Sequence, residues 1–170
     1  MGAEGKLMGD PIILNATPLT NFALAGRANL LLSLWGGDVY TTPEVLDEYQ
    51  AGVANGKLPA GAWKKLPLIR LTSAEEGLML TMSVRLGRGE RSCIAAAHQR
   101  RGLLVTDDLD ARRAARGLGV AVTGSVGTLA ACIQAGLLTL QEANLLLACM
   151  IAAGFRSPVN RLDDLLKDSK

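Results

Sequence analysis

Aromatic side chains are scarce, 4% of the chain, which argues against a protein that holds single-stranded nucleic acid by stacking successive bases on rings. Histidine occurs once; His98 lies among alanines in the middle of a helical stretch and reads as a surface or packing residue. The three cysteines, Cys93, Cys132 and Cys149, are an odd and widely spaced set inside apolar helical stretches. No two have metal-ligand spacing, so they read as small buried hydrophobes in a reducing compartment, with the cytoplasm as the default. Long hydrophobic runs are also missing. The longest uncharged stretch, Gly117 to Gln141, is interrupted by Gly119, Gly124, Gly127 and Gly136, the pattern of strand, loop and helix rather than of a membrane span. Met1 to Asp10 has no apolar centre and carries Glu4 and Asp10, so it does not read as a signal peptide. Repeats and low-complexity segments are absent.

What remains is an apolar chain of modest length. Its 170 residues, 49% hydrophobic, with a mean hydropathy of +0.23, suit one domain with a sizeable core. We expect a flexible N-terminus over residues 1–10 and a single domain over 11–170 that includes the C-terminal helices. The net charge of +2 hides an uneven distribution. Between Arg85 and Arg116 eight arginines face Glu90, Asp107, Asp108 and Asp110. Guanidinium groups around a few carboxylates suit a phosphate-backbone partner, although two solvated helix faces would give the same pattern.

Short apolar runs alternate with helical ones. Strands are expected at Pro11–Leu14, Asp38–Thr41, Leu68–Leu71, Leu103–Thr106 and Val120–Thr123. Thr17-Pro18 and Thr42-Pro43 each pair a cap with a proline in the first turn. Ser73 with Glu76 has the spacing of a capping box for a helix reaching about Leu86, and Thr139 with Glu142 has it for one reaching Ala153. Further helices are expected from Glu90 to about Arg101, from Leu109 to Arg116, from Ser125 to Ala135, and from Ser157-Pro158 to about Leu166. Apolar strands separated by helices argue for a parallel sheet covered on both faces.

In such sheets ligands bind beyond the carboxyl ends of the strands. The first strand ends in Asn15-Ala16-Thr17 and the fourth in Thr106-Asp107-Asp108-Leu109-Asp110. Three aspartates within four residues after a buried strand are costly unless something positive lies among them. One of them can cap the next helix, but capping uses a single carboxylate. Glu90 begins a helix whose inner side is Ile94 and Ala97, so it faces inward near the helix N-terminus. On the Pro43 helix, Glu48 lies nearest the apolar stripe of Val45, Leu46, Tyr49 and Val53 and reaches the rim of the same pocket; taken alone it would read as a solvated flank.

The segments IILNATPLTNFALAGRANLL, TTPEVLDEY, LGRGERSCIAAA and LLVTDDLDARRAARGLGVAVTGSVGTLAA resemble the PIN domain, in a compact branch related to VapC-type toxins. The likeness runs through nearly the whole chain after Asp10 and ends on RSPVNRLDDLL. It implies a three-layer α/β sandwich with a five-stranded parallel sheet in the order 3-2-1-4-5. It also implies an acidic pocket that holds Mg²⁺ or Mn²⁺ and cleaves single-stranded RNA. Carried onto this chain, the acidic positions fall on Asn15, Glu48, Glu90 and Asp108, with Asp107 and Asp110 as auxiliary ligands and Thr17 and Thr106 as hydroxyl supports. Glu48, Glu90 and Asp108 take the catalytic places. Arg88, Arg91, Arg112 and Arg113 are the candidates for the RNA backbone. Asn15 departs from the acidic pattern, since an amide oxygen can ligate a cation but brings no charge. Two functions follow. One is a metal-dependent ribonuclease, for which the resemblance leaves open the role of a toxin with an antitoxin protein as partner. The other is a catalytically silent module that binds RNA or protein. A phosphatase-like hydrolase lacks its aspartate nucleophile on the first strand. Finally, the uncharged LLLACMIAAGF run from Leu145 to Phe155 predicts burial on more than one side, against a second copy of the chain or a partner helix, with a two-fold homodimer the commonest outcome. Helices that merely cover the sheet edge are the alternative.

Overall fold

The computed structural model describes residues 10–167; the N-terminal segment expected to be flexible, except Asp10, lies outside them. Four short strands form one parallel sheet: β1 (Ile12–Leu14), β2 (Val39–Tyr40), β3 (Leu103–Val105) and β4 (Ala121–Thr123), in the order β2-β1-β3-β4. Leu14 pairs with Val105, and Val105 with Thr123. Ile13 and Leu14 point to opposite faces, and neither exposes any surface. The sheet is therefore covered on both sides.

Nine helices are assigned among the described residues: α1 (Ala16–Leu24), α2 (Asn29–Trp35), α3 (Pro43–Ala54), α4 (Ser73–Thr81), α5 (Arg88–Gln99), α6 (Leu109–Gly117), α7 (Ser125–Gln134), α8 (Leu140–Ala152) and α9 (Asp163–Lys167). The central helix α5 packs on β1 and β3 and against α3, α4 and α6, while α7 packs on α1, α2 and α8. In α5 the run Cys93–Ala97 is wholly buried, because small side chains let the helix lie close on the sheet.

The expected third strand is reduced to a single parallel bridge, Thr41 with Leu68. Thr41 donates to the Pro67 carbonyl (3.1 Å) and accepts from Ile69 (2.8 Å). Beyond Ile69 the backbone is claimed by other partners: the Arg70 carbonyl accepts from Arg100 (2.9 Å) and Thr72 is drawn into a helix cap. The sheet therefore counts four strands where five were expected, and the bridge lies on the outer side of β2.

Other boundaries shift for local reasons. Asn15, not Thr17, occupies the cap position of α1, and Thr17 lies inside that helix. The capping box of α4 is Thr72 with Glu75, one residue before the expected pair, and the helix stops at Thr81. The last helix begins at Asp163 instead of Ser157, after a turn in which Leu162 donates to Asn144 Oδ1 (2.8 Å). Cys93 and Cys132 are buried as expected, but Cys149 is exposed. No helix among the described residues is long and apolar enough to cross a membrane.

Candidate functional site

The carboxyl ends of β1 and β3 are level with each other, and the Asn15 N–H continues the ladder onto the Val105 carbonyl (3.0 Å). Asn15 is 2% exposed and stands at the cap position of α1 without making a side-chain cap bond. Its Nδ2 donates across the strands to Thr106 Oγ1 (2.9 Å). The Oδ1 atom, equally buried, has no partner. A buried carbonyl oxygen left this way costs about 1–3 kcal/mol, so the position suits an oxygen ligand better than a helix cap.

Three carboxylates around this strand end share one construction. Glu90, half-buried in the first turn of α5, accepts the Gly87 N–H at Oε2 (2.6 Å). Asp108 caps α6 by accepting the Ala111 N–H at Oδ1 (2.8 Å), and its own N–H donates to Thr106 Oγ1 (3.3 Å). Glu48 leans from α3 onto the backbone of Gly89. That approach needs a glycine: a Cβ there would lie 2.5 Å from Glu48 Oε1 and 3.1 Å from Val45 Cγ2. Each carboxylate thus has one oxygen placed by a backbone N–H and keeps the other. Glu48 is exposed at the surface, and partial desolvation raises its pKa above the ordinary carboxylate value. Burial raises the half-buried Glu90, reinforced by the nearby charges of Asp108, Glu48 and Asp110. The structure therefore brings Glu48, Asp108 and Asp110 within electrostatic reach of Glu90.

Asp107 does not share this construction. Its carboxylate accepts the Ser125 N–H (2.7 Å), the Ser125 hydroxyl (2.6 Å) and Asn21 Nδ2 (3.3 Å). Three donors and the positive end of α7 satisfy its charge. Thr17 Oγ1 accepts the Asp107 N–H (2.9 Å) and Thr106 Oγ1 accepts the Asp108 N–H (3.3 Å). Among the arginines, Arg88 is exposed, Arg113 stands 3.9 Å from Asp110 in an exposed pair, and Arg91 is half-buried with an unpartnered Nε. Arg112 is partly committed, donating to the Thr106 carbonyl (2.9 Å). Reading the sequence passed over Glu44, whose Oε2 is buried without a partner one turn before Glu48, as well as Asn21 and Ser125. Only tertiary packing marks them. Cys93, pushed up to about 12 by burial, has no reactive character.

The PIN-domain family model DUF3368 matches residues 11–170. The chain belongs to the PIN domain family. A search of curated proteins found no match. PIN domains generally use divalent metal ions. Among the described residues of this PIN domain, no group of three or more His, Cys, Asp or Glu side chains is placed to hold one. The residues expected from the sequence as ligands, Asn15, Glu48, Glu90 and Asp108, would offer hard oxygens only. That fits Mg²⁺ or Mn²⁺, because Mg²⁺ is usually held by one or two carboxylates and retains several waters.

Proposed function

We propose that this PIN domain is a ribonuclease that cleaves single-stranded RNA with Mg²⁺ or Mn²⁺ at the end of β1 and β3. The observation that carries the reading is Asn15 Oδ1, buried and unpartnered where Glu48, Glu90 and Asp108 keep free oxygens. The bound cation supplies charge neutralisation at the attacked phosphate and a water of lowered pKa. The chain's own residues provide the rest. Glu48, Glu90 and Asp108 hold the cation, each oriented through its second oxygen, and Asn15 adds a neutral oxygen fixed by Thr106. Asp110 extends the negative field, and exposed Arg88 and Arg113 draw the RNA backbone toward it.

The test is cleavage of a labelled single-stranded RNA by purified protein with Mg²⁺, with Mn²⁺ and with EDTA, for wild type and Asp108→Asn. Cleavage by wild type alone, abolished by EDTA, is the expected result. Wild type that binds RNA through Arg88 and Arg113 yet never cleaves it is a silent binding module. The likeness to VapC-type toxins supports a role as a toxin restrained by an antitoxin protein. Growth arrest on expression of wild type but not of Asp108→Asn, relieved by an adjacent gene's product, tests that role.

A further inference from the structure

We infer that Asp107, Ser125 and Asn21 form a brace that positions Asp108 and Thr106, and that Asp107 is a positioning residue and not a metal ligand. The inference rests on the metal-site reading above and deepens it. The resemblance sets Asp107 beside Asp108 as an auxiliary ligand, but their environments are opposite. Asp108 has one oxygen engaged. Asp107 accepts three hydrogen bonds from two helices, and Asn21 Nδ2 also reaches Ser125 Oγ (3.0 Å), closing a triangle between α1, α7 and the loop after β3.

The brace acts on the ligand through one peptide unit. The Asp107 N–H is tied to Thr17 Oγ1 of α1, and the preceding Thr106 carbonyl is tied to Arg112 of α6. The following Asp108 N–H returns to Thr106 Oγ1, the same hydroxyl that orients Asn15. Two proposed ligands, Asn15 and Asp108, therefore meet on Thr106, and Thr106 is held in place by the residue after it. The fit around Asp107 is close. A Cβ on Gly124 would stand 2.6 Å from Asp107 Oδ1 and 2.8 Å from Arg112 Nη1. In effect α7 binds an anion at its N-terminus, and the anion is the chain's own carboxylate.

The brace and a ligand role predict opposite responses when the donors are removed. If Asp107 were a ligand, Ser125→Ala or Asn21→Ala would free its carboxylate, and Mn²⁺ would bind as well as before or more tightly. For a brace the same changes loosen Asp108 and Thr106. Mn²⁺ binding to the full chain is followed by loss of the free-ion electron paramagnetic resonance signal, at a temperature where circular dichroism shows each variant fully folded. Both variants are expected to weaken Mn²⁺ binding about ten-fold, the usual scale for losing a partner of a ligand, and to lower kcat on single-stranded RNA while KM stays unchanged. A purely structural role would lower the melting temperature and leave the affinity of the folded protein alone. Unchanged or tighter binding in both variants overturns the brace. Glu90→Gln and Asp108→Asn separate this from failure of the metal site: if neither alters Mn²⁺ binding, the metal-site reading falls and the brace with it. If both weaken it while the Ser125 and Asn21 variants do not, only the brace is lost.

Discussion

At residue scale, position 15 sets the charge of the pocket. Asn15→Asp adds a full negative charge to a buried site, which at an effective dielectric near 20 is worth on the order of 4 kcal/mol to a cation about 4 Å away. Desolvation and repulsion from the other carboxylates remove most of this, leaving about 1–2 kcal/mol, or roughly ten-fold tighter Mn²⁺ binding. The same charge without a cation is destabilising, so the variant should melt lower than wild type in EDTA and gain more from Mn²⁺ in a thermal titration. Equal Mn²⁺ responses from both proteins would remove Asn15 from the site. Gly89→Ala probes the opposite wall: a Cβ that meets Glu48 Oε1 and Val45 Cγ2 must turn the Glu48 carboxylate away. Mn²⁺ affinity should fall with little change in the metal-free melting temperature. The sequence pattern put Asn15, Glu48, Glu90 and Asp108 at one strand end, because strand ends and helix faces follow from spacing. It left open whether Asp107 also binds the metal directly, since the partners of Asp107 lie at Asn21 and Ser125, 86 and 18 residues away in the chain.

At the scale of elements, caps decided where helices begin, and two of them fell one or two residues from where the sequence put them. Thr72 and Glu75 make the reciprocal box of α4, with bonds of 3.2 and 2.8 Å, and Ser73 and Glu76 are left outside it. This register won because Glu75 also pairs outside its own helix. Its side chain is 1% exposed and takes Arg100 Nε at 2.8 Å and Nη2 at 2.9 Å. One arginine thereby ties α4, the Arg70 carbonyl and the end of α5 together, which also explains why the segment after Leu68 never extends into a strand. Burial pushes the Glu75 carboxyl up, but the hydrogen bonds and charge of Arg100 outweigh it and hold the carboxyl below its ordinary value. A lowered carboxyl contributes stability that is present above its unfolded value and lost as pH falls through the folded one. Arg100→Met should strand a buried carboxylate and destabilise the fold by about 3 kcal/mol, measured by urea denaturation. The loss should shrink in acid, where Glu75 takes up a proton. A loss that does not change with pH would mean that Arg100 acts through packing alone.

For the whole molecule, the acidic pocket gives stability the opposite pH dependence. Glu48 and Glu90 are raised above their ordinary value of 4.5, so the folded chain keeps their protons longer than the unfolded chain. Their favourable contribution is complete below that value and is lost as pH rises through the folded pKa. Metal-free protein should therefore lose stability across that window, and Mn²⁺, which binds the ionised forms, should raise the melting temperature more at about pH 8 than at about pH 5. Association is the other property of the whole molecule. The apolar run read from the sequence becomes α8, which buries Ala143, Leu146, Leu147 and Met150 but leaves Leu145 62% exposed, with Ala148, Cys149 and Ala152 also on the surface. Sequence periodicity could not divide these faces, because a helix without charges carries no polar side to mark. A stripe of small residues around one leucine suits close approach of an identical helix about a two-fold axis. We therefore expect a dimer by light scattering at tens of micromolar, dissociated by Leu145→Glu, which places a charge on the axis without touching the buried face. Cys149 supplies an independent reading: mild oxidation should cross-link wild-type chains in pairs and leave Cys149→Ser uncoupled. A monomer at that concentration, or cross-linking that survives Leu145→Glu, would mean that α8 does not meet its copy through this face.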